Sequence, residues 1–161
     1  VRRALLVSVL VGALLACSGG SSSGNGQTLG ASFSRFDGST ASFADYRGKP
    51  VVVNFFSSTC TPCVTEMPAF ERIHQQVGSS VVFLGMDVQD TVDAGRSFVE
   101  SVGITWDLGR DPDAAILKSL GGVGLPTTVL LDSDGRVVFK HLGALPPDEL
   151  TAQLRDHRFT T

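Results

Sequence analysis

The chain has 161 residues, with 13 basic and 16 acidic side chains, and a formal net charge of −3. That length fits one domain. No basic stripe runs through it, which argues against a nucleic-acid partner, and a single CxxC is too tight to staple a fold.

The first residues read apart from the domain. Arg2 and Arg3 form a basic n-region, and residues 4–16 are an apolar stretch too short to span a bilayer comfortably. That pattern suits a secretory signal better. The stretch ends in Leu14-Leu15-Ala16-Cys17, which resembles the bacterial lipobox, where the peptidase cuts before the cysteine and the cysteine carries the lipid. Leu15 is slightly off the commonest pattern, and a plain signal peptide with a chance cysteine is the alternative. The expectation is a lipoprotein signal peptide over 1–16 and a lipid on Cys17. Residues 17–27 then form a tether, because the Gly/Ser tract at 18–26 cannot bury a core. Without residues 1–16 the chain keeps 11 basic against 16 acidic residues, or −5. The folded domain is expected over 28–161, outside the cytoplasm, lipid-anchored to the outer face of the bacterial cell membrane.

Within that domain, Phe33-Ser34-Arg35-Phe36 alternates, Asp37-Gly38 signals a turn, and 40–43 resumes, which reads as a hairpin. Residues 51–57 are a near-continuous apolar run, as for a central strand buried on both faces. From Pro62 onward, Val64, Met67, Phe70, Ile73 and Val77 recur at helical spacing and are expected to face inward. A second buried strand is expected over 81–86, and a helix over 90–102. A short strand follows at 104–108. Asp111-Pro112 reads as an N-cap with proline in the first turn of a helix closed by Leu120-Gly121. Strands at 127–131 and 137–141 flank the Asp134-Gly135 turn, and a last helix covers 147–155. Such alternation means a sheet with helices on both faces. Seven phenylalanines (Phe33, Phe36, Phe43, Phe70, Phe83, Phe98 and Phe139) are expected in the core rather than at the site.

The chemistry concentrates at Cys60-Thr61-Pro62-Cys63, directly after the 51–57 run. Two thiols two residues apart can close a disulfide with little backbone movement. Where a strand runs into a helix, the first thiol sits at the helix N-terminus, whose partial positive charge stabilises a thiolate. Thr61 and Pro62 separate the thiols, and Pro62 suits a first helical turn because it fixes φ and lacks an N–H. A zinc site would need four ligands, and no second cysteine or histidine pair stands near; His74, His141 and His157 are isolated in sequence. Glu66 is three residues beyond Cys63 and shares its helix face. A half-buried carboxylate there would shuttle a proton with Cys63; a surface helix glutamate is the bland alternative.

The 51–56 strand, Cys60-Thr61-Pro62-Cys63, Glu66-Met67-Pro68, Gly124-Leu125-Pro126-Thr127-Thr128 and Asp132-Ser133-Asp134-Gly135 together resemble the thioredoxin fold, and within it the extracytoplasmic TlpA/ResA branch. The resemblance runs from about residue 29 to residue 154. It includes a strand-helix segment around 87–108 that plain thioredoxins lack. It implies an α/β thioredoxin fold: a central mixed β-sheet flanked by helices, with an N-terminal β-hairpin and that inserted segment.

The resemblance further implies Cys60 as nucleophile and the more buried Cys63 as resolving thiol, with no cofactor beyond their disulfide. Pro126 is expected to be cis and to pack against the dithiol, with the Leu125 backbone pairing an extended substrate. Cytoplasmic thioredoxins carry a buried Asp at the position of Asn54, which cannot titrate, so Glu66 becomes the proton-shuttling candidate. The family commonly has an aromatic residue just before the first cysteine. Thr59 stands there instead, so a less apolar surface around Cys60 is expected.

Implied partners are thiols and disulfides of exported proteins, with a membrane or extracytoplasmic electron donor or acceptor. In the family such proteins often reduce apocytochrome c before haem attachment; the direction of electron flow is open. A peroxiredoxin on the same fold fits poorly, because Val53 occupies the slot of its motif's proline. A copper-carrying thioredoxin-fold protein would have three residues between the cysteines and a distal His. Peroxide consumption and copper titration separate these rivals.

Overall fold

The computed structural model of the chain describes residues 30–160. The segments expected as signal peptide and tether, with Cys17, lie outside the described residues. Seven strands form one sheet in the order β2-β1-β5-β4-β3-β6-β7. The hairpin strands are β1 (Ser32–Ser34) and β2 (Thr40–Ser42), and the central strand is β3 (Val51–Phe56). Then come α1 (Thr61–Val77), β4 (Val82–Val88), α2 (Val92–Val102), β5 (Asp107–Asp111) and α3 (Ala115–Ser119). The chain ends with β6 (Thr127–Leu131), β7 (Val137–Leu142) and α4 (Pro147–Asp156). β3 runs parallel to β4 and antiparallel to β6. The expected mixed thioredoxin-like sheet, with its hairpin and inserted strand-helix pair, is thus present.

β3 is buried along its whole length, and its alternation divides the core in two. Val52 and Phe56 join Cys63, Met67, Phe70, Phe98, Leu150 and Leu154 on the face covered by α1, α2 and α4. Val51, Val53 and Phe55 join Phe33, Phe43, Leu84, Met86, Ile116 and Leu117 on the other. Successive side chains of a strand point to opposite faces, so both core layers grow from six consecutive residues. Asn54 therefore faces α1. The hairpin closes onto β5 by a close approach at Gly109. A Cβ there would lie 2.5 Å from the Phe33 ring and 2.7 Å from Met86 Sδ.

Several expectations change; the strand expected over 81–86 runs from Val82 to Val88, and the helix expected from 90 starts at Val92, because Thr91 is its N-cap and Asp90 lies in the loop before it. β5 begins three residues later than the 104–108 reading. Ile104 and Trp106 are buried, but as a crossing segment. Glu71 of α1 holds that segment by accepting from Thr105 N at 2.9 Å and Thr105 Oγ1 at 2.7 Å, and parallel pairing starts at Leu84 with Asp107.

The helix after Asp111-Pro112 also starts late, because Ala114 takes a left-handed φ of 58°. Asp111 ends β5 instead, yet it still caps α3: its carboxylate accepts from Ile116 N and Leu117 N at 3.1 and 2.9 Å.

Val64 does not face inward; it is 51% exposed. Cys63 and Met67 take the buried side of that first turn, and Val64 sits about 100° round the helix from Cys63. Phe36 and Phe139 are half-buried rather than core, while the other five phenylalanines are buried.

Candidate active site

Phe56 of β3 lies opposite Asp87 of β4, so the segments that follow both strands leave the sheet at one end. β6 enters at the same end, since Thr127 lies opposite Phe55. The loops at 57–60, 89–91 and 123–126 meet there.

Cys60 is the N-cap of α1 and Pro62 lies in its first turn. Cys60 N donates to Ser57 O, and Cys63 N to Cys60 O, each at 3.1 Å. A tight turn thus passes directly into the helix. Cys60 and Cys63 are joined by a disulfide with Cα atoms 5.4 Å apart. Cys63 is fully buried and Cys60 is 8% exposed, while Thr61 and Pro62 face solvent. The N-terminal end of a four-turn helix favours negative charge at Cys60 once the bond is reduced.

The Leu125–Pro126 bond is cis. Pro126 is buried, and Leu125 packs against the core cluster that holds both cysteines. Thr127 Oγ1 donates to Gly124 O at 2.8 Å, and Gly143 N donates to Pro126 O at 2.9 Å. These bonds seat the turn against β7.

Glu66 is buried rather than half-buried. Its carboxylate accepts from Asn54 Nδ2 at 2.7 Å and from Leu145 N at 2.6 Å. Burial pushes its pKa above the ordinary value, and the bonds from Leu145 and Asn54, with the nearby His141, act in the opposite sense. A cleft of about 420 Å³ between α1 and the start of α4 runs past Pro62, Thr65, Glu66 and Leu145.

Sequence reasoning missed a second acidic group at this end. Asp90 accepts from Ser58 N at 2.5 Å and from Ser58 Oγ at 2.8 Å. Asp87 is buried beneath it, and burial together with Asp90 pushes its pKa up to about 7. The available signal was a lone acid inside the apolar 81–88 run. His141, isolated in sequence, lies near enough to Glu66 to act on it in the lowering direction.

Among the described residues, the exposed large hydrophobics are Val64, Val123 (88%) and Leu142 (47%). Val64 follows Cys63, Val123 is three residues before Pro126, and Leu142 pairs with Thr127. Thr59 and Thr61, on either side of Cys60 in the chain, are exposed and polar, as is Gln89. A second cleft of about 390 Å³ runs from Val123 and Leu125 to Gln89 and Leu117.

The Redoxin family model matches residues 26–154. The thiol-disulfide oxidoreductase ResA of Geobacillus thermodenitrificans is 32% identical over 124 residues, covering 75% of this chain and 70% of that protein. ResA of Bacillus thuringiensis is 28% identical over 120 residues, covering 74% and 69%. The solved structure of MTB dsbF aligns with a TM-score of 0.74 at 25% identity, over 80% of this chain and 96% of that one. Since the matched span carries both cysteines and the sheet that places them, the chain belongs to the Redoxin family, among thiol-disulfide oxidoreductases of the ResA type.

Proposed function

We propose that the protein is tethered to the outer face of a bacterial cell membrane. There it exchanges electrons between the Cys60/Cys63 pair and cysteines of exported proteins, with apocytochrome c before haem attachment as the leading substrate. One observation carries the redox centre: a disulfide at the start of α1 that joins a fully buried Cys63 to a Cys60 that is 8% exposed. The anchor rests on Leu14-Leu15-Ala16-Cys17 and the Gly/Ser tract after it. Val64, Val123 and Leu142, exposed on or beside the elements that carry the site, support a protein substrate, because exposed apolar side chains suit docking of a chain.

In the reducing direction, the Cys60 thiolate attacks one sulfur of the substrate disulfide. That bond breaks, a Cys60–substrate mixed disulfide forms, and the released substrate thiolate takes up a proton. Cys63 then loses its proton to the Glu66 carboxylate and attacks Cys60 Sγ. The second substrate sulfur leaves as a thiolate, the Cys60–Cys63 bond forms, and two electrons have passed to the substrate. A membrane or extracytoplasmic dithiol must reduce the pair again. The Leu125 backbone, beside Pro126, pairs an extended substrate segment and holds its sulfur in line with Cys60.

The test uses Cys63→Ser with an oxidised peptide carrying the paired cysteines of an apocytochrome c haem site. The variant is expected to accumulate a mixed disulfide through Cys60, and Cys60→Ser to form none. Adducts on Cys63 in preference to Cys60 would overturn the assignment. Equal rates with that peptide and with a small disulfide would remove the substrate choice. For the anchor, radiolabelled palmitate should enter the full chain in a bacterial host but not Cys17→Ala; equal labelling, or none, would refute it.

A further inference from the structure

Asp90 sits on the loop after β4, outside the dithiol motif, yet it grips the segment that delivers Cys60. Its two oxygens accept from Ser58 N at 2.5 Å and Ser58 Oγ at 2.8 Å. Bonds to an ionised acceptor are stronger than neutral ones. Asp90 is itself anchored: Arg110 of β5 donates through Nη2 to its backbone oxygen at 2.7 Å. The Arg110 guanidinium lies 5.8 Å from the centre of the Phe36 ring, and its Nε faces Asp87 Oδ2 at 3.6 Å.

Asp87 has no place in the redox chemistry, but the fold makes room for it. A Cβ at Gly95 would lie 2.5 Å from Asp87 Oδ2, so α2 rests on the carboxyl only because residue 95 is glycine. Arg110 from β5 and Asp90 from the following loop are the charged groups facing Asp87; Phe36 from the β1–β2 turn and Gly95 from α2 complete its surroundings. No N–H of Arg110 reaches either Asp87 oxygen at hydrogen-bonding geometry.

We propose that Asp90 is a positioning residue for the dithiol: braced by Arg110, it holds the backbone two residues before Cys60 and so sets where that sulfur sits on the N-terminus of α1. The inference rests on the reading of Cys60 as the attacking thiol. Its physical content is that the dipole's effect is confined to the first turn. A Ser58 backbone free to shift would carry the sulfur off the helix axis and weaken the thiolate.

Position and charge predict opposite signs, which makes the proposal testable. Asp90→Asn keeps an acceptor for Ser58 N and an N–H for Ser58 Oγ but removes a negative charge near the thiol, so the Cys60 titration should move down. Asp90→Ala loses the grip as well, so the titration should move up, with alkylation at pH 7 slowed about tenfold. The measurement is iodoacetamide alkylation of the reduced full chain across pH, with adducts mapped to Cys60. If Asp90→Ala titrates together with Asp90→Asn or below it, positioning by Asp90 is wrong. Should Asp90→Ala fail to fold, Ser58→Ala removes one of the two bonds and should slow alkylation about threefold; no slowing overturns the proposal. Cys60→Ser, assayed in parallel for reduction of a protein disulfide, separates the two failures. Retained activity there sinks the reading of Cys60 itself, whereas lost activity beside an Asp90→Ala variant that titrates with Asp90→Asn sinks only the role of Asp90.

Discussion

Asn54 Nδ2 donates to Glu66 Oε1 across 2.7 Å, joining the middle of β3 to the helix that begins at the disulfide. The same amide group reaches Thr128 Oγ1 on β6 at 3.2 Å, while Asn54 Oδ1 has no partner. The residue that cannot titrate thus supports the one that can. Where cytoplasmic thioredoxins resembling this chain carry a buried carboxyl on the strand, the strand here supplies a hydrogen-bond donor and the helix supplies the acid.

Glu66→Gln is the first prediction. The buried carboxyl has its pKa raised above 4.5 in the fold. Its contribution to stability is therefore complete below 4.5 and is lost as pH rises through the folded value. Gln carries no such dependence, so the variant should gain on the wild type as pH rises above 4.5 in urea unfolding. The unpaired Asn54 Oδ1 lets Asn54 turn its amide and accept from the introduced side-chain amide, so the fold should persist. Disulfide exchange at neutral pH should fall by about 10²-fold with a flattened pH profile. An unaltered profile would leave Glu66 a structural group.

Asp87→Asn should stabilise the protein in a pH-dependent way. The folded pKa is about 7 against an ordinary 3.8, with burial the largest cause and Asp90 next. Stability from this group is full below 3.8 and drains away as pH rises to about 7. The advantage of Asn should therefore grow across that window, to the order of a few kcal/mol. Chemical denaturation at pH 4, 5.5 and 7.5 measures it. A gap that is constant with pH would show that Asp87 does not titrate in the window.

Val123→Ser combined with Leu142→Ser should act on protein substrates. Covering such side chains in a complex is worth roughly 1–2 kcal/mol, so KM for a protein disulfide should rise about tenfold. A small aromatic disulfide covers neither side chain and should be affected far less. Equal losses with both substrates would assign these residues to stability instead of docking.

Gly109→Ala tests the hairpin seat. The added Cβ would meet Phe33 at 2.5 Å and Met86 Sδ at 2.7 Å, and overpacking of this kind costs about 1–3 kcal/mol. Thermal unfolding should show a Tm lowered by several degrees. A Tm equal to the wild type would mean that β1 can move off β5 without loss.

The local patterns were legible where one period dominates. β6 spans the residues its apolar run marks out, and β3 and α1 differ by a residue at most, because a fully buried strand and a long helix each repeat one signal. β5 was displaced because Ile104 and Trp106 are as buried as strand residues while serving as a crossover. Their burial is set by α1 through Glu71, a contact 34 residues away. The start of α3 was displaced because Asp111 caps from five and six residues upstream rather than from the adjoining position.

The sequence by itself determined the dithiol, its place before a helix, the proline that opens β6 and the helix face that Glu66 shares with Cys63. All of these are relations of short spacing, fixed by strand and helix geometry. Only the tertiary structure decided what surrounds them. Glu66 became a buried acid because Asn54 and Leu145, 12 and 79 residues away, supply its donors. Ser58 came under the control of Asp90 because β3 and β4 run parallel and end together. Val64 was left exposed where its periodicity pointed inward. Charge burial depends on every element that closes over a group, and no local pattern carries that information.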